Sequence, residues 1–198
     1  GGGTVTVSGV KAWSNTGGLD IVDYKLAGDT PLTIDLSITG AQNTGFGTAT
    51  FRNIEGLAGG SSSDIFVDNA ADNQFEGRGG NDTFTLMGGG RDTLLYKLLS
   101  ASDATGGNGA DDVYGFEVGA FGAWPNADRI DLRQLLVGFT PGNEASYLKV
   151  SVVNGRDTVI SVDRDGAGNG HDFAPLLTLR NVQVDLATLL ANQQIVMV

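Results

Sequence analysis

The feature that most constrains this chain is a period of nine residues between Leu57 and Leu95. Phe66, Phe75 and Phe84 stand nine apart, and Leu57 stands nine before the first of them. Two residues ahead of each large apolar side chain lies one that carries oxygen: Glu55, Asp64, Asn73 and Asp82. Between them run turn-forming segments, Gly59-Gly60-Ser61-Ser62-Ser63, Asp68-Asn69-Ala70-Ala71-Asp72 and Gly77-Arg78-Gly79-Gly80-Asn81. Each unit reads as six loop residues ending in an oxygen ligand, then a three-residue strand with a large apolar residue at its centre. A glycine-rich linker has no reason to keep an aromatic residue and an acid on one shared period, so the stretch reads as stacked units.

A repeat this short cannot bury its own apolar side chain and must stack on its neighbours. Two nine-residue units make one turn of a flattened coil, so loops eighteen residues apart are expected on the same side. Asp64 and Asp82 then point into one inter-loop gap, and Glu55 and Asn73 into the gap opposite. Glycines allow positive φ and let alternate carbonyls turn inward. One carboxylate per loop plus those carbonyls makes a cage of about six oxygens, which suits a hard cation of flexible geometry such as Ca²⁺.

Composition narrows the function. The chain of 198 residues carries 31 glycines, no cysteine and a net charge of -11, with an isoelectric point near 4.2. Such acidity argues against nucleic acid and anionic membrane surfaces as partners. Between Gly59 and Leu95 six acidic side chains face two arginines, so metal-free loops would repel one another. The lack of cysteine excludes disulfides and thiolate metal sites. No run of eighteen apolar residues is present, and no N-terminal signal peptide is read; the Gly1-Gly2-Gly3 start is expected of a fragment of something longer.

Residues 1–56 read as a β-rich N-terminal set of coils or cap, with alternation in Thr4-Val5-Thr6-Val7 and Leu32-Thr33-Ile34-Asp35-Leu36 after Pro31. Residues 57–96 form the repeat. Past Asp82 the register slips, because the next acid, Asp92, lies ten residues on; the coil is expected to end near Leu94-Leu95-Tyr96, and Asp92 to matter less than Asp82. In residues 97–198, Ala127 to Leu136 predicts a strand running into a short helix. Tyr147–Val153 and Asp157–Val162 predict a hairpin around Asn154-Gly155, and Leu176–Val182 a strand. Asp185 predicts the cap of a short helix through Leu190. The predicted class is all-β: a parallel β-roll with β-rich caps at both ends and short helices near the C-terminus.

The repeat resembles the calcium-binding nonapeptide, G-G-x-G-x-D-x-U-x, of RTX proteins, which Gram-negative bacteria export by type I secretion. The lead-in Asn53-Ile54-Glu55-Gly56-Leu57 and the later Asp112-Val113-Tyr114-Gly115-Phe116 and Asp128-Arg129-Ile130-Asp131-Leu132 are similar to segments that flank such rolls. The tail, through Val162-Asp163-Arg164-Asp165-Gly166 and Leu186-Ala187-Thr188-Leu189-Leu190, resembles the C-terminal target domain of large biofilm adhesins. Ser62, Ala71, Arg78 and Asn73 depart from the motif, which implies only two or three well-formed sites. The resemblance implies a best Ca²⁺ site from Gly60, Ser62 and Asp64 with Gly77, Gly79 and Asp82. It implies a second from Phe51, Asn53 and Glu55 with Asp68, Ala70 and Asn73, and a third joining Asn69, Ala71 and Asn73 to the loop ending at Asp92. A cap site on Asp103 and Asp112 is also implied.

The remaining constellations are weak. A single histidine, His171, cannot form a zincin site, and neither H-E-x-x-H nor G-x-S-x-G occurs. Asp163-x-Asp165-Gly166 has calcium-loop spacing but no glutamate at position twelve, so a polar hairpin loop is the simpler reading. Gly166, Gly168 and Gly170 do not make a dinucleotide fingerprint. Trp13 and Trp124 read as packing rather than sugar platforms, and Asp111 and Asp112, adjacent on a strand, point to opposite sides rather than forming a catalytic pair. The function expected is a non-catalytic one: the C-terminal region of a secreted adhesin at the bacterial surface, folding on extracellular Ca²⁺ and carrying an export signal. Its partners are the inner-membrane ABC transporter and outer-membrane channel of a type I apparatus, and the fragment is expected to be monomeric. The alternative is the calcium domain of a secreted metalloprotease or lipase.

Overall fold

The structure, a computed structural model, describes residues 18–168 and 170–198 together with the backbone of residues 4–6 and 11–14. The readings at Val7 and at the Trp13 side chain, and Asn169, lie outside the described residues. The fold is β-dominated with few short helices. One seven-stranded sheet runs β1 (Thr4–Thr6), β3 (Ile21–Asp23), β7 (Gly56–Ala58), β9 (Gln74–Glu76), β11 (Thr93–Lys97), β13 (Arg129–Gln134) and β17 (Ile195–Val196), all neighbours parallel. The second runs β4 (Thr33–Asp35), β8 (Ile65–Val67), β10 (Thr83–Thr85), β12 (Asp111–Tyr114) and β16 (Ala174–Arg180) in parallel. It then continues antiparallel through β15 (Asp157–Val162) and β14 (Leu148–Val153). A small sheet joins β2 (Lys11–Ser14), β6 (Thr48–Arg52) and β5 (Gln42–Asn43). Two helices, α1 (Glu144–Tyr147) and α2 (Leu186–Ala191), lie among the C-terminal strands.

Three-residue strands are too short to stand alone, so the registers matter more than the strands. From β7 to β12 the chain alternates from one large sheet to the other, which places equivalent repeat residues side by side. In the first sheet Val22, Leu57, Phe75, Leu94, Ile130 and Ile195 are successive partners. In the second they are Ile34, Phe66, Phe84, Val113 and Leu179. All of these are buried, and together they form an apolar spine between the sheets. Phe66, Phe75 and Phe84 meet at its centre, with ring centroids 6.0 to 6.1 Å apart. The burial of Ile34, Phe66 and Phe84 at the middle of "exposed–buried–intermediate" or similar triplets follows from the period of two along a strand.

Parallel pairing does not stop near Tyr96. The ten-residue step to Asp92 is absorbed where Leu94 pairs with Phe75, and two longer connections then bring β12 and β13 onto the same sheets. The segment after Arg129–Gln134 closes in a turn, with Leu135 N–H donating to the Leu132 carbonyl, rather than in the helix expected there. The β14–β15 hairpin forms as read, with Asn154 and Gly155 both at positive φ (55° and 59°), the requirement of a type I′ turn. Asp185 caps α2 by accepting from Thr188 N–H at 2.8 Å. Among the described residues no helix is long and apolar enough to cross a membrane.

Phe75→Ala should destabilise the chain by about 3–5 kcal/mol, since it removes a fully buried ring from between two others. Ile65→Ala on the outer face of the same layer, 44 % exposed, should cost less than about 1 kcal/mol. Denaturant titration of both variants checks the contrast, and equal losses would mean the spine is not the core.

Candidate metal centre

In each repeat the acid stands two residues before the spine residue, so it faces the same side of its strand and is carried into the interior at the strand's entrance. The outcome is two ladders of side chains, buried except for the half-buried Glu55. On one, Leu32 N–H donates to Asp64 Oδ1 (2.9 Å), Asp64 N–H to Asp82 Oδ1 (2.8 Å) and Asp82 N–H to Asp111 Oδ1 (2.8 Å). On the other, Asp20 N–H donates to Glu55 Oε2 (3.0 Å), Asn73 N–H to Asp92 Oδ1 (2.8 Å) and Asp92 N–H to Asp128 Oδ1 (2.9 Å). Each carboxylate thus accepts from the main chain of the equivalent residue on the neighbouring strand. Asn73 is the exception: its amide nitrogen donates to the Glu55 carbonyl (3.1 Å), while its Oδ1 accepts from Asn69 N–H (3.1 Å).

The loops close over these side chains by direct stacking. Gly79 N–H donates to the Gly60 carbonyl (3.3 Å), and Gly60 N–H to Asp64 Oδ2 (3.0 Å). Gly59 and Gly77 are required by close approach. A Cβ on Gly59 would strike both Asp64 Oδ2 and the Gly77 carbonyl oxygen, and one on Gly77 would strike Asp82 Oδ2. Of the residues grouped as the first site, Gly60, Ser62 and Asp64 therefore lie against Gly77, Gly79 and Asp82, with Gly80 seated on the Ser62 carbonyl.

In the second grouping Phe51, Asn53, Asn69 and Ala70 line an open cleft of about 640 Å³. Asn73 Nδ2 donates to the Glu55 carbonyl, the Glu55 carboxylate accepts from Asp20 N–H, and Asp68, buried, accepts from the N–H of Gly88 at the cleft's edge at 2.7 Å. In the third, the Gly88–Asp92 loop lies on Asn69 and Ala71, and Arg91 binds Asp72 through its main chain and guanidinium (both 2.9 Å). Asp92 is as buried as Asp82 and occupies an equivalent rung. Asp103 and Asp112 are not brought together. Asp103 folds back on its own loop, accepting from Thr105 N–H, Thr105 Oγ1 and Gly107 N–H at 2.6 to 3.0 Å. Asp112 faces outward and pairs with Arg180 at 2.6 Å.

The rungs the sequence reading left out are Asp111 and Asp128. Both were legible in principle, because each stands two before a spine residue, Val113 and Ile130. Asp111 Oδ2 accepts from the Tyr96 hydroxyl at 2.8 Å. Asp128 and Asp92 line a cleft of about 370 Å³ with Glu117, Asn126 and Gly88-Gly89-Gly90. Trp124, half-exposed, lies against Gly119 and donates from Nε1 to Glu117 (3.3 Å), so it is not a core residue.

The electrostatics of the ladders are one-sided. Burial raises the carboxyls of Asp64 and Asp68. Burial, reinforced by neighbouring carboxylates, pushes Asp82 and Asp92 to about 8, and Asp111 and Asp128 to about 7. Asp82 Oδ2 is buried with no hydrogen-bond partner. Among the described residues no three histidine, cysteine, aspartate or glutamate side chains gather around one point. A cage built from one or two carboxylates and several main-chain carbonyls does not need such a trio. The donor set is all oxygen, desolvated and anionic, with an orphaned carboxylate oxygen inside it. That chemistry fits Ca²⁺.

Two outcomes follow from these rungs. Asp82→Asn and Asp92→Asn should each remove calcium binding to a similar extent in calorimetric titration, whereas Asp112→Asn should remove none; a silent Asp92→Asn would mean that it is not an equivalent rung. In metal-free solution the folded chain holds protons on Asp82, Asp92, Asp111 and Asp128 up to about pH 7–8, while unfolded aspartates release them near 3.8. The folded state binds more protons across that window, so stability in EDTA should fall as pH rises from about 4 to 8. Calcium should abolish that slope, and thermal unfolding at several pH values measures it.

Comparison with protein families finds no family model that matches this chain, and comparison with curated proteins finds none that matches it.

Proposed function

We propose that this chain is a calcium-folded β-roll, the C-terminal region of a secreted bacterial surface adhesin of the RTX type, with a binding rather than a catalytic role. The observation that carries the reading is Asp82. Its carboxylate is buried, one oxygen is committed to Asp64 N–H, the other has no partner, and its charged neighbours are Asp64 and Asp111. A carboxylate in that position is stable with a proton or a cation, and stacked carbonyl-rich loops favour the cation. Asp64 and Asp82 with the carbonyls of Gly60, Ser62, Gly77 and Gly79 would hold one ion; Asp92 and Asp128 with the Gly88–Gly90 loop are placed to hold another. Calcium supplies charge neutralisation there. The chain supplies the N–H donors that orient each carboxylate.

Binding coupled to folding gives the functional sense. Cytosol with little free calcium leaves the loops apart, and an unfolded chain suits passage through a type I channel. Millimolar calcium outside then drives folding of the emerging segment and opposes its return. Residues 97–198 would act as cap and carry the export signal toward the C-terminus, around α2 and β17.

Circular dichroism should show little β structure in EDTA near pH 8 and a full β spectrum in calcium of about 1 mM, in the range of extracellular calcium modules. An identical spectrum in both would sink the calcium reading. In a host with a matching transporter, a reporter fused to residues 96–198 should be exported, and removal of residues 184–198 should stop it; continued export would displace the signal from that end.

A further inference from the structure

We infer that the connection between β15 and β16 holds a divalent cation of its own, ligated by Asp163 and Asp165 together with main-chain carbonyls of residues 163–168, apart from both ladders. Asp163 is 7 % exposed, and its Oδ1 is buried without a hydrogen-bond partner. Asp165 Oδ1, from the same loop, is buried without one as well. With both groups ionised each oxygen is only an acceptor, so the pair is satisfied by a proton shared between the two carboxylates or by a cation. Burial and the adjacent Asp165 raise the Asp163 carboxyl above its ordinary value, which marks the two groups as close neighbours.

The cation between them in sequence is not their partner. Arg164 points the other way, donating from Nε to the Asp103 carbonyl (2.9 Å) and from Nη2 to the Ala101 carbonyl and His171 Nε2. No salt bridge to Asp163 or Asp165 is formed among the described residues. The loop is nonetheless held in place. Asp163 N–H donates to the Tyr147 carbonyl (2.9 Å), Gly166 packs on the Tyr147 ring, and Gly170 N–H donates to Asp165 Oδ2 (3.1 Å). Two carboxylates and the main-chain carbonyls beside them supply only oxygen donors. That set selects a hard divalent ion, Ca²⁺ first, over zinc or copper. The ion would fix the loop whose Arg164 anchors β15 and β16 to the Ala101–Asp103 segment.

The test is calorimetric titration of the full chain with calcium chloride. The Asp163→Asn/Asp165→Asn variant should bind one ion fewer than the unmodified chain and keep its calcium-dependent circular dichroism; an unchanged number of ions would overturn the loop site, leaving a shared proton as the pair's solution. Asp82→Asn in parallel reports on the ladders alone, so a ladder failure and a loop failure are read separately. As a check that needs no variant, hydrogen exchange at the Arg164, Gly166 and Gly168 amides should slow on adding calcium, and unaltered exchange there would also count against the site.

Discussion

A buried carboxylate must be matched by donors or by a cation, and in this chain that requirement recurs at every level of the two large sheets. Asp64, Asp82, Asp92, Asp111 and Asp128 each lie within a step of the apolar spine, because a residue two before a core residue shares its face of the strand. The main-chain N–H of the neighbouring rung satisfies one oxygen of each. This hydrogen bond also sets register: a slip by one residue would turn every acid outward and leave every rung N–H without an acceptor. The second oxygen is left to the loops or, for Asp111, to the Tyr96 hydroxyl, and burial beside other acids makes ionisation of Asp82 and Asp92 costly without a counter-charge.

The outer faces solve the same electrostatic problem differently. Asp23, Glu76, Arg78 and Lys97 meet across the first sheet, with Arg78 bidentate on Asp23 (2.7 and 2.8 Å) and Lys97 on Glu76 (2.7 Å). Arg78 also donates to the Gly59 carbonyl at 2.8 Å, and it holds a positive φ of 70° where the repeat otherwise places glycine. The arginine is thus a clamp between loop and sheet. On the second sheet Arg180 bridges Asp112 and Asp157. Acids that face outward find cations, and acids that face inward find N–H groups and an unsatisfied remainder.

That division links stability to environment. The spine brings together strands of three residues, and ionisation of the acids stacked beside it would oppose their approach unless a counter-charge is supplied. The antiparallel β14–β15–β16 extension carries no such rungs, and it gives the C-terminal part a more conventional sheet.

The nine-residue repeat was legible because its contacts are between neighbours in sequence: the spacing of Phe66, Phe75 and Phe84 with their acids already implies which residues stack. The inward–outward split of Asp111 and Asp112 was legible too, from strand period alone. The rung equivalence of Asp92 was not, since a ten-residue step looks like a broken register until the loop is seen to absorb it at Leu94 and Phe75. Asp111 and Asp128 were legible only through their spacing, two before Val113 and Ile130; which rungs they complete, 29 and 36 residues back, was not. No period spans such connections, and only the closing of β12 and β13 onto the two sheets decides the register. The sequence by itself determined where a carboxylate could be buried, through its distance from an apolar neighbour; tertiary structure decided which ones are, because burial depends on what the returning chain brings alongside.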